Sequence, residues 1–335
     1  MLSPARLSAA GLVLLAVVAG VLWLAPAQSY YLFLPDRAHP IAPLVEVPGR
    51  KPHADRGGIY FVDVRYRKAR LLERLFPGLH DGSSLVRVSD VRPRGVSESE
   101  QRRNDLQAMA FSQRVAAAVA LRKLGYRVAE RPRGVVILQV RPGTPAAAEL
   151  LPGDTIVGVD GRRIRSVGAL RRAMRAHSPG DTVRVSVRRR ASTTERRVKT
   201  IADPQKPSRA IFGIAVEDAV DVKLPIKVRI DTRGVGGPSA GLAFALDLME
   251  EFGRDIDRGH KVAATGALAL DGSVGEIGAV KQKTFGAREA GVDVFVVPAG
   301  SNAREARRYA HGLRVIAVKS FQQALRALAT LPKKH

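Results

Sequence analysis

Cysteine is absent from the 335 residues. Its absence excludes a disulfide framework, a thiolate metal site and a cysteine nucleophile, and leaves the redox compartment unread. The seven histidines fall into no HExxH or other metal-ligand spacing, so a metal hydrolase has little support. No GxxxxGK[ST] run occurs, which removes the phosphate-cradling loop an ATPase would need. Aromatic residues are only 5% of the chain and do not interleave with basic ones as they do in nucleic-acid binders. This scarcity bears on the formal net charge of +24. Residues 132–200, for example, hold 15 basic and 5 acidic side chains, mostly arginine scattered along expected strands and helices. Such scatter reads as a solvated surface, and nucleic acid is not expected as a partner.

Long uncharged runs are confined to the N-terminus. Leu7 to Ala25 carries no charge, follows Arg6 and precedes Tyr30 and Tyr31, with Trp23 inside it. About 20 apolar residues span a bilayer and aromatic residues favour its interfaces, so residues 1–27 are expected to form a transmembrane signal anchor. Ala25-Pro26-Ala27 fits a cleavage site poorly, and the run is long for a signal peptide. The expected location is therefore a single-pass cell-membrane protein with the bulk of the chain extracytoplasmic.

Residues 28–124 read as an accessory segment. A proline-rich stretch from Pro35 to Pro52 is followed by a strand pattern from Gly58 to Tyr66. Ser97-Glu98-Ser99-Glu100 fits a capping box, opening a helix through Leu106, Met109, Ala110, Ala117 and Leu121 that ends at Gly125. Between about 125 and 203 the pattern shifts to short strands and turns. Val135 to Val140 is one strand, Gly153-Asp154 opens another, and Asp160-Gly161 is a tight-turn signal. The run from Gly134 to Ile164, with its Pro-Gly-x-Pro-Ala turn, Pro-Gly-Asp-x-Ile step and Val-Asp-Gly-x-x-Ile hairpin, resembles a bacterial PDZ domain of the type attached to envelope proteases. The resemblance implies capture of an extended polypeptide, often an exposed C-terminus, on a sheet edge. Leu124, Gly125 and Tyr126 are the candidate peptide-binding residues.

The remaining segment, 204–330, carries the chemistry. Gly234-Val235-Gly236-Gly237-Pro238-Ser239-Ala240-Gly241 leads into a helix with Leu242, Ala245, Leu246 and Met249 on one face. The loop lacks the lysine of a P-loop and has Ser239 where a dinucleotide fingerprint needs glycine. Ser239 sits at a helix N-terminus, where unpaired N–H groups favour developing negative charge. On the loop alone it reads equally as a plain N-cap or as a nucleophile. A serine hydroxyl needs a base, and no histidine accompanies it in a recognisable pattern.

Further on, Val262 to Leu270 reads as a strand, Asp271-Gly272 as a turn, Lys281 to Ala290 as a helix and Val292 to Val297 as a buried strand. The Gly-Pro-Ser-Ala-Gly turn, Thr265-Gly266, the Gly-x-Val-Gly turn and Lys281-Gln282-Lys283 together resemble the proteolytic domain of Lon proteases. By that resemblance Ser239 is the nucleophile, Lys283 the base with Lys281 as runner-up, and Thr265 a supporting hydroxyl. Gly237, Pro238, Ala240 and Gly241 shape the turn. Lysine serves as a base only when burial lowers its pKa, and Phe285 and Ala287 are expected to supply the apolar surroundings. Two positions depart from the family: Gly236 and Ala267 stand where acidic residues are found. The whole chain resembles a bacterial family of membrane-anchored PDZ–Lon proteins. The expected fold class is thus α+β multidomain: a transmembrane helix, a PDZ-like β-rich domain and a Lon-type α/β proteolytic domain. The resemblance implies an ATP-independent serine endopeptidase that needs no cofactor or metal, acts on unfolded or exposed segments of envelope or secreted proteins, and leaves homo-oligomerisation open. A catalytically silent, membrane-tethered PDZ scaffold is the alternative.

Overall fold

The computed structural model describes residues 20–50, 57–92, 96–141, 143–189, 192–204 and 206–334. The chain divides into two compact units, one of residues 1–127 with 226–335 and the other Val128–Pro225.

In Val128–Pro225 the strands run in the order Ser192–Lys199, Thr182–Arg189, Thr155–Val159, Ala129–Val140 and Ile214–Lys223. All four pairings are antiparallel. Alternation directs Val183, Val185 and Val187 inward, onto Val135, Ile137, Ile156 and Val159. Gly153 (φ 88°) allows the turn that buries Asp154. That carboxylate takes two 2.7 Å bonds from the Arg189 guanidinium and one from the Leu151 amide, which satisfies an otherwise costly buried charge. Ser166 caps the helix Val167–Met174 through the Ala169 amide. Leu170 and Met174 of that helix are buried in the same core.

The other unit is built on a five-stranded sheet ordered His39–Pro40, Gly58–Phe61, Lys261–Ala264, Val294–Pro298, Arg314–Val318. The four longer strands are parallel, and the short His39–Pro40 edge is antiparallel. Val294–Pro298 is buried at every position, as its unbroken apolar run requires of a strand covered on both faces. The helix Gly241–Glu251 is likewise buried throughout. A second sheet pairs Pro26–Pro35 with Val64–Arg70 and with Ser84–Arg87. The expected long helix forms as Glu98–Lys123. Ser97 accepts from the Glu100 amide, and the Glu100 carboxylate accepts from the Ser97 amide. Small side chains from Ala116 to Ala120 let its second half bury against Gly241–Glu251.

The N-terminal expectation is corrected. Among the described residues no helix is long and apolar enough to cross a membrane, against the expected transmembrane helix and the single-pass location. Of Leu7–Ala25, only residues 20–24 are described as helix. The helix stops where Pro26 opens an extended strand bonded to Val64–Arg70. The rest of the expected span lies outside the described residues.

Candidate active site

Ser239 is placed by a loop whose path needs glycine: Gly234 and Gly237 have φ of 82° and 93°. The N-cap of the following helix is Ala240, with no side-chain cap bond. Ser239 therefore stands one residue ahead of the cap, and its hydroxyl is not committed to the helix.

Lys283 comes from the helix Val280–Glu289, which starts from Ala279 in the left-handed region (φ 58°). Three contacts fix that helix. Asn302 accepts from the Ile277 amide at 2.8 Å and donates to the Ile277 carbonyl at 3.0 Å, holding the turn before it. Gln282 donates to the Gly82 carbonyl and Ser84 hydroxyl at 2.8 and 2.9 Å. A Cβ on Gly286 would lie 1.8 Å from the Asp36 carbonyl oxygen, so only glycine permits this close approach.

The Lys283 amine lies 2.8 Å from Ser239 Oγ and 3.4 Å from Thr265 Oγ1. Thr265 donates in turn to the Ser239 carbonyl at 3.1 Å, which also accepts from the Gly266 amide at 2.8 Å. Lys283 is 4% exposed. Burial lowers it to about 8, and the Asp63 charge works in the opposite direction. Asp63 is itself raised, first by burial and then by Asp36, while His39, 3.6 Å away, counteracts. A charged amine donates to Ser239 at this separation; a neutral amine accepts the serine proton.

Lys281, the runner-up base, donates to the Ser83 carbonyl at 2.7 Å and lies over the Tyr309 ring. Phe285 packs on Tyr309 too. Residues two apart on a helix point to nearly opposite sides, so Phe285 and Lys281 share a face that Lys283 does not. The desolvation of Lys283 comes instead from the face with buried Val280 and Ala287. Gly236 has a steric reason: a Cβ there would lie 2.7 Å from Asp105 Cβ. Ala267 begins a two-residue strand paired with Val274–Gly275. Leu124, Gly125 and Tyr126 follow the long helix in the unit of residues 1–127 and 226–335, with Tyr126 edge-on to Phe252 at 5.8 Å. Among the described residues, one group has ligand atoms within metal-binding reach, Asp36 with His39 and Asp63; Arg65 lies 3.4 Å from Asp36.

In Val128–Pro225 the outer edge of Ile214–Lys223 pairs with no further strand among the described residues. The half-buried Ile214 and Val216 on this strand, and Val167 and Ala173 on the neighbouring helix, all pack on the core. Sequence reasoning missed this edge. Its signal was the Phe212-Gly213-Ile214 step, where Gly213 (φ 73°) turns the chain into the strand.

Two family models match parts of this chain. A family model described as PDZ domain matches residues 122–200, and one described as Lon protease (S16) C-terminal proteolytic domain matches residues 212–330. Lon protease 2 of Bacillus subtilis is 33% identical over 98 residues, covering 29% of this chain and 17% of that protein. Lon protease 2 of Thermus thermophilus is 36% identical over 87 residues, 26% of this chain and 11% of that protein. The chain therefore spans less than a fifth of the length of these curated relatives. The solved PDZ domain of an SdrC-like protein from Listeria monocytogenes is 26% identical, covering 25% of this chain and 86% of its own, with a TM-score of 0.23.

Proposed function

For a chain that carries a PDZ domain and a Lon-type C-terminal proteolytic domain, we propose that it is an ATP-independent serine endopeptidase working through a Ser239–Lys283 dyad. The observation that carries this reading is the buried Lys283 amine 2.8 Å from Ser239 Oγ. Neutral Lys283 takes the hydroxyl proton as Oγ attacks the scissile carbonyl carbon. The resulting oxyanion is met by backbone N–H groups of the turn at Ser239, just ahead of the helix Gly241–Glu251. The C–N bond then breaks, the amine leaves with the proton held by Lys283, and an ester remains on Ser239. Water, deprotonated by Lys283, hydrolyses that ester and restores the serine. Thr265 keeps the amine and the Ser239 carbonyl in register.

With no phosphate-binding loop to drive unfolding, substrates are already extended or exposed polypeptide. The PDZ domain recruits them by adding a segment to the outer edge of Ile214–Lys223, beside the helix Val167–Met174. The alternative, a silent peptide-binding scaffold, calls for an amine out of reach of the serine, and the 2.8 Å separation disfavours it.

The test is cleavage of unfolded casein without ATP by the wild-type chain, Ser239→Ala and Lys283→Ala. Cleavage lost in both variants supports the dyad. Cleavage surviving in either refutes that residue's role.

A further inference from the structure

Ser112 lies on the long helix Glu98–Lys123, outside residues 212–330 that match the proteolytic-domain model. It is a polar side chain only 3% exposed, and its hydroxyl donates to the Pro238 carbonyl at 3.0 Å. The Pro238–Ser239 peptide is trans, so the Pro238 C=O and the Ser239 N–H point in opposite directions across one rigid plane. Holding the carbonyl toward the long helix therefore directs the Ser239 N–H away from it.

The next peptide is held in the same way. The Ser239 carbonyl accepts from the Gly266 amide and the Thr265 hydroxyl, which directs the Ala240 N–H away from Thr265 and Gly266. Neither the Ser239 nor the Ala240 N–H has an acceptor among the described residues. Two spare, oriented donors beside the nucleophile are what an oxyanion needs.

The surrounding contacts show that this arrangement is built rather than incidental. A Cβ on Gly241 would lie 2.8 Å from Ser112 Oγ, so the last glycine of Gly-Pro-Ser-Ala-Gly makes room for Ser112. The same long helix borders the whole loop: the Asp105 carbonyl accepts from the Gly237 amide at 2.8 Å, and Arg102 donates to the Gly234 carbonyl at 3.0 Å.

We infer that Ser112 is a positioning residue for the oxyanion hole, aiming the Ser239 N–H at the substrate carbonyl by fixing the Pro238–Ser239 peptide plane. The inference rests on the Ser239–Lys283 protease reading. It makes a helix more than 100 residues upstream part of the transition-state machinery.

The test compares wild type, Ser112→Ala and Ser112→Cys in the full chain. The readouts are kcat and KM on a fluorogenic peptide, affinity for a peptide boronate and the thermal midpoint. A boronate adduct on serine carries a tetrahedral centre with an oxygen in the oxyanion position. Ser112→Ala is expected to lower kcat by about 10- to 100-fold, below the full loss of an oxyanion donor because the N–H remains but wanders. KM stays within about twofold, and boronate affinity falls by the factor seen in kcat. Ser112→Cys, of similar size but a weaker donor, falls between. Ser112→Ala with kcat and boronate affinity within about twofold of wild type overturns the inference. So does a loss that follows a lowered thermal midpoint while boronate affinity is kept. A wild-type chain that neither cleaves peptide nor binds boronate overturns the protease reading itself, and this inference with it.

Discussion

When an amine serves as base, the rate follows its titration. With Lys283 at about 8, about one molecule in ten holds a neutral amine at pH 7, against roughly one in 2,500 at the ordinary lysine pKa. Burial thus supplies about 200-fold more base at neutral pH. The acid limb of kcat/KM should therefore fall about tenfold per pH unit below a midpoint near 8 and level off above it. Asp63 opposes burial by favouring the charged amine. Asp63→Asn should move the midpoint below 8 and raise kcat/KM at pH 6.5, where the neutral amine is scarce. The assay is kcat/KM on a fluorogenic peptide from about pH 5.5 to 10 at constant ionic strength. A midpoint near 6.5 would assign the base to histidine instead, a flat profile would remove Lys283 from proton transfer, and an upward shift in Asp63→Asn would refute the electrostatic account.

Other outcomes follow from the same contacts. Lys283→Met should be inactive yet more stable than wild type at pH 6, where folded and unfolded lysine are both charged and burial opposes folding by about 3 kcal/mol, less the lost Ser239 bond. From pH 8 to 10.5 the folded amine is neutral while the unfolded one still binds a proton, so wild type gains stability and the difference in urea midpoints closes. Gly286→Ala forces a methyl into the Asp36 carbonyl and should destabilise by more than about 3 kcal/mol with loss of cleavage. Glu73 is buried, which works against its charge, but Arg67, the Arg70 amide and His80 outweigh this and bring its carboxyl down to about 2. Glu73→Ala should lower stability by about 1–3 kcal/mol by denaturant titration. Val216→Asp on the open edge of Ile214–Lys223 should abolish binding of C-terminal peptides by calorimetry while short-peptide cleavage continues.

Ser239 and Lys283 could be proposed as a pair from the sequence because each stands in a local pattern: a glycine-lined turn before a helix, and a lysine on a helix after a turn. The capping box at Ser97 and the buried run Val294–Pro298 were legible for the same reason. What the sequence did not disclose depends on distant partners. Gly58–Phe61 has the residues of a strand, but nothing in them indicates a parallel neighbour at Lys261–Ala264. Gly236 departs from the family's acidic residue, and the steric reason for glycine there, Asp105 against it, lies more than 100 residues upstream. Phe285 is near Lys283 in sequence but on another face of the helix. The apolar run at the N-terminus suggested a membrane span from composition alone. At its end, however, Pro26 begins an extended strand paired with Val64–Arg70, an outcome set by a partner rather than by hydropathy.

The most direct test of the central claim is acylation of Ser239 itself, followed by intact mass and peptide mapping after mixing with a peptide p-nitrophenyl ester and quenching in acid. One acyl group is expected on Ser239 at pH 8 and none in Ser239→Ala, with acylation slowed at least about 100-fold in Lys283→Ala. Acyl groups on another residue, or Lys283→Ala acylated as fast as wild type, would contradict it.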